Sequence, residues 1–282
     1  MILVDYSQVM VGSLMTQAKS MNDVSEDLLR HMILNTLRSY RKQYGKTYGE
    51  LILCIDSRHY WRRDVFPNYK HARKSGRDKS AFDWEILFGW FDNIKAELKE
   101  NFPYKVIEVM AAEADDVIGV LSKYKHMEEK VLILSSDKDF IQLHKYKNVK
   151  QYSPMQRKWV RHPDPIAYAK EHIIRGDRGD GIPNFLSGDD FLIEGIRQTS
   201  IAKKKLDVWL TQTPEQICEG NEEMMERWQR NSLLTQFDEV PQLLQNDILN
   251  AFKKEPIGQR KKLYNYFVMN KLQNLMDVIG DF

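Results

Sequence analysis

Four short runs of Ile, Leu and Val punctuate the first half of the chain: "ILV" (2–4), "LILCI" (51–55), "YKVIEV" (104–109) and "VLIL" (131–134). They show little of the apolar–polar alternation that marks a strand with one wet face. Strands buried on both faces read this way. Helical patterns lie between them. "SEDLLRHMILNTLRSYRKQYG" puts Leu28, Leu29, Met32, Ile33 and Leu37 on one side, with Ser25 as its cap and Gly45 as its stop. "ADDVIGVLSKYKH" groups Val117, Val120, Leu121 and Tyr124. Strands alternating with helices predict an α/β fold with a mainly parallel central sheet flanked by helices. From about residue 160 the strand signals fade. Five segments, from "PDPIAYAKEHIIRG" to "GQRKKLYNYFVMNKLQNLMDVI", read as helices. The expected division is an α/β domain over 1–185 and a helical C-terminal domain over 186–282.

The residues just past each strand narrow the function. "ILV" ends in Asp5 and "LILCI" in Asp56. The third run leads to Glu113, Asp115 and Asp116, and the fourth to Asp137 and Asp139. Forty acidic residues in 282 make a chance acid about one in seven. Acids directly after three given strands are then a roughly one-in-350 event. In an open parallel sheet the carboxyl ends of the strands share one edge, and ligands bind there. Two carboxylates ~5 Å apart repel by roughly 3 kcal/mol at an effective dielectric of 20. A cluster of six or more must therefore hold protons or divalent cations, and an all-oxygen donor set suits Mg²⁺ or Mn²⁺ rather than zinc. Each acid alone reads as a turn, cap or first-turn residue. That ordinary reading has to hold independently at four strand ends. A further segment, "RGDRGDGIPN" (175–184), sets Asp177 and Asp180 among glycines, either as a plain loop or as two more carboxylates for the same edge.

Charge elsewhere is uneven. The net charge is only +2, yet residues 57–79 carry eight cations (Arg58, Arg62, Arg63, Lys70, Arg73, Lys74, Arg77, Lys79) against Asp64 and Asp78, a local +6. Tyr60, Trp61, Phe66 and Tyr69 are interleaved. Cations track phosphates and aromatic rings stack on unpaired bases, so the stretch reads as a nucleic-acid contact broken by Pro67 and Gly76. A solvated loop is the plainer reading, weakened by its position directly after Asp56. Trp84, Phe88 and Trp90 come next at helical spacing as core or supporting residues. Cys54 and Cys218 make neither a disulfide framework nor a zinc pattern, which fits a reducing cytoplasm. No run of about eighteen apolar residues predicts a membrane span. The start "MILVDYSQ" reads as a first strand rather than a leader.

These residues resemble a known family. "GDRGDGIPN" (176–184) is similar to the "GDxxDNIPG" segment of the structure-specific 5′ nucleases, the flap endonuclease family. "EADD" (113–116), "SSDKDFIQL" (135–143) and "RRDVFPNYKHAR" (62–73) match its other signatures, in consistent order over residues 1 to 200. The run "SSDKDFIQLHKYKNVKQYSPMQRKWV" (135–160) looks most like the T4-type phage ribonuclease H branch. The resemblance implies a 5′ to 3′ phosphodiesterase with two Mg²⁺ ions, for which Mn²⁺ substitutes. Asp5, Asp56, Glu113, Asp115 and Asp137 would form the first metal site with Asp116 beside it. Asp139, Asp177 and Asp180 would form the second, partly through waters. It implies a helical arch at about 57–90, in which Lys70 and Arg73 stabilise the transition state, Tyr69 stacks on a base, and Arg62 and Arg63 meet phosphate. Implied substrates are duplex DNA, RNA·DNA hybrids and 5′ flaps. The implied setting is primer removal in phage-type replication in the host cytoplasm, by a monomer working near replication proteins such as a single-stranded-DNA-binding protein.

The match breaks off in one place. The family's glycine-rich helix-hairpin-helix, which grips duplex backbone and often a K⁺ ion, is replaced by "NFLSGDDFLIEGIRQTSIAKKK". Gly195, Ile196, Ser200 and Ala202 are its nearest remnants, and Lys203, Lys204 and Lys205 are either phosphate contacts or a solvated helix end. A phosphatase of the haloacid dehalogenase type also sets acids at strand ends, but it needs Asp-x-Asp after the first strand, where "VDYSQ" has serine. A DNA-binding protein with an abandoned site has no reason to retain mutually repelling charges.

Overall fold

The computed structural model describes residues 1–193, 195–256 and 258–282, with the side chains of Gln17, Lys74 and Ser75 outside the description. The four expected strands form as β1 (Ile2–Asp5), β2 (Leu51–Ile55), β3 (Lys105–Glu108) and β4 (Val131–Leu134), joined by β5 (Val149–Ser153) and β6 (Lys158–Val160). They make one six-stranded sheet in the order β3-β2-β1-β4-β5-β6, parallel except for β6. The chain steps to one side of β1 for β2 and β3, then to the other for β4. That reversal opens a crevice at the carboxyl ends of β1, β2 and β4, which is where the acids fall.

Both faces of the sheet are buried, and the period of two divides its residues between two cores. Ile2, Val4, Leu51, Leu53, Val106, Leu132 and Leu134 face one core; Leu3, Ile52, Cys54, Ile107, Val131 and Ile133 face the other. The first core is closed by Leu29, Ile33, Leu34 and Leu37 of helix Glu26–Tyr48, by Leu87, Phe91, Ile94 and Leu98 of helix Trp84–Asn101, and by Leu263, Phe267 and Phe282 near the carboxyl end. The second is closed by helix Ala114–Lys125 and by Phe237, Val240, Leu244 and Ile248. A third cluster joins Ile174, Phe185, Leu206, Trp209 and Trp228. Residues beyond 186 thus complete the burial of both sheet faces. Cys54 and Cys218 are both buried and free. No helix is long and apolar enough to cross a membrane among the described residues.

Several local expectations are corrected. Ser25 does cap helix Glu26–Tyr48, its side chain accepting from Leu28 N, but the helix runs through Gly45 and ends at Gly49, whose φ of 88° only glycine adopts readily. Leu28 is exposed, and the buried stripe is Leu29, Ile33, Leu34 and Leu37. "PEQICEGNEEMMERWQRN" makes two helices, Pro214–Cys218 and Glu222–Thr235, parted by Glu219 and Gly220 at positive φ. The β5–β6 hairpin lies in a stretch where the sequence gives no strand signal. Helix Trp84–Asn101 forms with Trp84 and Trp90 packed against the core, and Phe88 takes the supporting alternative, exposed with Arg77 5.7 Å over its ring.

Candidate active site

Asp5 ends β1 and caps helix Tyr6–Gln17, its side chain accepting from Gln8 N (3.0 Å) and from Ser135 Oγ (3.2 Å). Asp56 comes after β2 and accepts from Ser7 Oγ (2.5 Å) and Ala114 N (2.9 Å), which fastens it to the start of the next helix over. Asp115 lies in the first turn of that helix. Asp137 comes after β4, and Gln151 of β5 holds its loop by donating from Nε2 to the carbonyls of Ser135 (3.0 Å) and Asp137 (2.6 Å). Asp137 and Asp139 do not lie on an extended strand. β4 has already ended, Asp137 Oδ1 accepts from Asp139 N (2.9 Å), and a 3₁₀ helix begins at Asp139. The side-chain bond closes a turn between the two aspartates.

The acids divide by their counter-charges. Among the described residues no lysine or arginine pairs with Asp5, Asp56, Asp115 or Asp137, whereas Glu113, Asp116 and Asp180 are all paired. Burial, then the charge of Asp56, pushes Asp5 up to about 7. Burial, then Asp5, pushes Asp115 well above the usual carboxylate range. An uncompensated set of hard oxygen donors at a sheet edge is what a divalent cation of the Mg²⁺ or Mn²⁺ kind requires.

The paired acids meet the cationic segment. Arg62 is 3% exposed; its Nη1 lies 2.8 Å from both Glu113 and Asp116, and its Nε donates to the Leu234 carbonyl. The expectation that Arg62 meets phosphate is therefore corrected: it is a buried counter-ion. Asp116 is fully buried, and its other oxygen accepts from Trp61 Nε1 and Glu113 N. Tyr69 is 4% exposed and hydrogen-bonds Glu113 (3.0 Å) and Asp180 (3.2 Å), so its ring is not offered to a base in this arrangement. Lys70 Nζ sits 2.5 Å from Glu113 and 3.5 Å from Asp180. Burial raises Glu113, but Lys70 and then Arg62 outweigh it and hold the carboxyl below its ordinary value. Burial also opposes the Lys70 charge, yet Tyr69, Glu113 and Asp180 push the ammonium well above the usual lysine range. Lys70 adopts φ 56°, a conformation costing a non-glycine residue about 1–2 kcal/mol. Arg73 is half-exposed and pairs with Asp180 at 2.6 Å. Arg63 is exposed and lies 5.1 Å over the Tyr60 ring. Lys74, part of the charge run, has its side chain outside the described residues.

The loop carrying Asp177 and Asp180 is locked to the base of this segment. Asp177 Oδ1 accepts from Gly179 N (2.7 Å) and Asp180 N (3.1 Å), and Lys70 N donates to the Asp180 carbonyl (2.7 Å). Gly181 has φ 77°, and a Cβ there would lie 2.8 Å from the Asn68 carbonyl. Both conditions exclude a side chain. Helix Pro165–Arg175 brings in a residue that carries no signal in the sequence, His172. Its Nδ1 lies 3.5 Å from Asp139 and its Nε2 3.4 Å from Asp177. Burial opposes the imidazolium, but Asp177 and Asp139 raise it above the ordinary histidine value. Asp139 is pushed up to about 7 by burial, with His172 working against the rise. Asp177 is held low chiefly by His172.

The helix-hairpin-helix is not built among the described residues. Among the described residues of 186–202 there is no helix, and Gly195, Ile196, Ser200 and Ala202 lie in turns and irregular chain tied down by Asn184, which donates to the Thr199 carbonyl (2.8 Å). The K⁺ expectation has no hairpin to rest on. Lys203, Lys204 and Lys205 begin one helix, Lys203–Trp209, and stay exposed; Lys205 Nζ lies 4.6 Å over the Trp209 ring.

Residues 2–172 match the family model for the 5′-3′ exonuclease N-terminal resolvase-like domain, and residues 166–282 match that for the T4 RNase H C-terminal region. The chain is 34% identical to the ribonuclease H of Enterobacteria phage T4, an alignment spanning 99% of this chain and 95% of that one. A 5′-3′ exonuclease of Buchnera aphidicola is 29% identical over 54% of each chain. Among solved structures, the phage T5 flap endonuclease in complex with DNA and metal ions superposes with a TM-score of 0.59 at 18% identity, covering 90% of this chain and 99% of that one. A metal-ion co-crystal of the T5 protein gives a TM-score of 0.60 over 89% and 98%. These structural likenesses carry the fold.

Proposed function

The chain belongs to the 5′-3′ exonuclease family, and on that premise we propose that it is a metal-dependent 5′ nuclease. It hydrolyses phosphodiester bonds of RNA·DNA hybrids, duplex DNA and 5′ flaps, removing primers in phage-type replication. The observation that carries the reading is the set of four carboxylates without a cationic partner, Asp5, Asp56, Asp115 and Asp137, at the carboxyl edge of a parallel sheet. They would hold one Mg²⁺ ion; Asp139 and Asp177, with Asp180 beyond, would hold a second. Bound ions supply an activated water and compensate charge on the scissile phosphate and the departing 3′ oxygen. The side chains do the rest. Ser7, Ser135 and Gln8 fix the carboxylates by hydrogen bonds. Lys70 and Arg73 hold positive charge beside the pocket, where the phosphorus gathers negative charge that the ions alone do not cover. Arg63 and Lys203–Lys205 are exposed cations available to backbone phosphates, a contact that gives little sequence preference. We place the nuclease chemistry in residues 1–185 and further substrate or partner contacts, such as a single-stranded-DNA-binding protein, in 186–282. The enzyme works as a monomer in the host cytoplasm.

The test is a side-by-side digestion of 5′-labelled RNA·DNA hybrid, nicked duplex and flapped duplex. Cleavage from the 5′ end with Mg²⁺, and none after chelation, is expected. Cleavage that survives chelation would end the proposal. Lys70→Ala separates chemistry from docking. Its loss of single-turnover rate should be ~10²–10³-fold, with affinity for the nicked duplex changed less than about threefold. A loss of affinity equal to the loss of rate would make Lys70 a docking residue.

A further inference from the structure

The family pattern carries only carboxylates to the second cation position. This chain adds an imidazole. His172 stands between Asp139 and Asp177, and one ligand atom from each of the three falls within 4.8 Å of the others. Asp180, the carboxylate that should complete the set, is engaged by Arg73 and Tyr69. We propose that His172 is a direct metal ligand of the second site, and that this nitrogen makes the site prefer borderline divalent ions such as Mn²⁺ or Zn²⁺ over Mg²⁺. The inference rests on the metal-dependent reading above and deepens it.

Three features of the ring argue for ligation. Its Nδ1 is buried and has no hydrogen-bond partner, although Asp139 Oδ1 is only 3.5 Å away. Two ligands in adjacent octahedral positions at ~2.1 Å from an ion sit about 3.0 Å apart, so a small closure on one cation satisfies both. The opposite nitrogen, Nε2, faces Asp177 Oδ2 at 3.4 Å. With Nδ1 on the ion, Nε2 is left to Asp177, which then orients the ring from behind in place of the ligand role the family pattern gives it, the arrangement that directs the lone pair of the other nitrogen towards a metal. Finally, the ring is carried by a rigid element. Helix Pro165–Arg175 starts on Pro165 behind an Asp164 cap, and the next two residues, Ile173 and Ile174, anchor it in the third apolar cluster. The ring is thus presented rather than loosely tethered. Mg²⁺ favours oxygen and gives up its waters reluctantly, whereas imidazole affinity climbs from Mn²⁺ towards Zn²⁺. Replacing one oxygen donor with nitrogen therefore shifts selectivity more than total affinity.

Calorimetric titration of the chelator-stripped full chain with Mg²⁺, Mn²⁺ or Zn²⁺ alone tests this directly. The comparison needs wild type, His172→Ala and His172→Gln, with circular dichroism confirming that all three are folded. Gln keeps polar bulk and removes the imidazole. The expected result in both variants is at least a tenfold loss of Zn²⁺ affinity at one of two sites, a smaller loss for Mn²⁺, and less than a threefold change for Mg²⁺. The ring carbon signals of His172 should also shift or broaden with Zn²⁺ or Mn²⁺ in wild-type protein. Equal losses for all three ions, or none, would overturn the inference by making His172 a structural residue. Tighter Mg²⁺ binding in the variants would overturn it by making His172 a counter-charge. If wild type itself binds no divalent ion, the metal-dependent function fails, a distinct outcome from failure of the ligand assignment.

Discussion

Asp5→Asn should lower the cleavage rate by two to three orders of magnitude, roughly the effect of removing one charge-stabilising group from a hydrolytic centre, and should at the same time make the metal-free protein more stable. The substitution keeps the shape and the helix cap, because Asn accepts from Gln8 N as Asp does. It removes a carboxylate whose folded value is about 7 against an ordinary 3.8. A carboxyl raised on folding binds its proton more tightly in the native state. Its penalty is absent below the ordinary value, grows as pH climbs from about 4 to about 7, and is complete above. The span of about three units corresponds to an upper limit of about 4 kcal/mol, part of it repulsion from the Asp56 charge. In chelator, wild type should therefore lose thermal stability between pH 4 and pH 7, and Asp5→Asn should lose less. Added Mn²⁺ should restore wild type at pH 8 and do little for the variant. Matching pH profiles for the two proteins would remove the electrostatic basis of the site.

How much of this is legible in the sequence depends on which interactions are local. Strands buried on both faces need an unbroken apolar run, so β1 to β4 announce themselves, and their terminal acids with them. β5 does not, because its inward positions include Gln151 and Ser153, spent on holding the loop of Asp137 rather than on apolar packing. Gly45 looks like a helix stop, but glycine in a helix interior costs only about 1 kcal/mol. The packing of Leu29, Ile33 and Leu37 against the sheet overrides that, and the stop falls where φ turns positive at Gly49. His172 carries no local signal: its partners stand at Asp139 and Asp177, on separate elements. Arg62 misleads for a related reason. A run of cations shows charge but not direction, and one turn of helix, Trp61–Val65, is enough to send Arg62 inward while Arg63 faces solvent. The broken glycine motif after Asp180 is the informative departure, since no two-helix hairpin stands there among the described residues.

The inward turn of Arg62 makes it a costly cation to remove. In Arg62→Met the stem volume is kept, but Glu113 and Asp116, both buried, lose the guanidinium that lies 2.8 Å from each. Breaking a buried pair strands its partner charge, which typically costs about 3–5 kcal/mol. Here Asp116 is stranded outright, while Glu113 keeps Lys70. The pH dependence identifies the cause. Glu113 is held below its ordinary 4.5 in the fold, so its contribution to wild-type stability is present above that value and is lost as pH falls through the folded value. Asp116, raised by burial despite Arg62, gains a proton more readily still once the cation is gone. Urea unfolding should therefore show a gap between wild type and Arg62→Met that is widest near pH 7 and narrows towards pH 4. Adding Asp116→Asn to Arg62→Met should recover part of the loss at pH 7, because the stranded charge disappears while the hydrogen-bonding shape remains. A gap below about 1 kcal/mol at pH 7, or one that widens on acidification, would return Arg62 to the surface and to the nucleic-acid contact that its sequence neighbourhood first suggested.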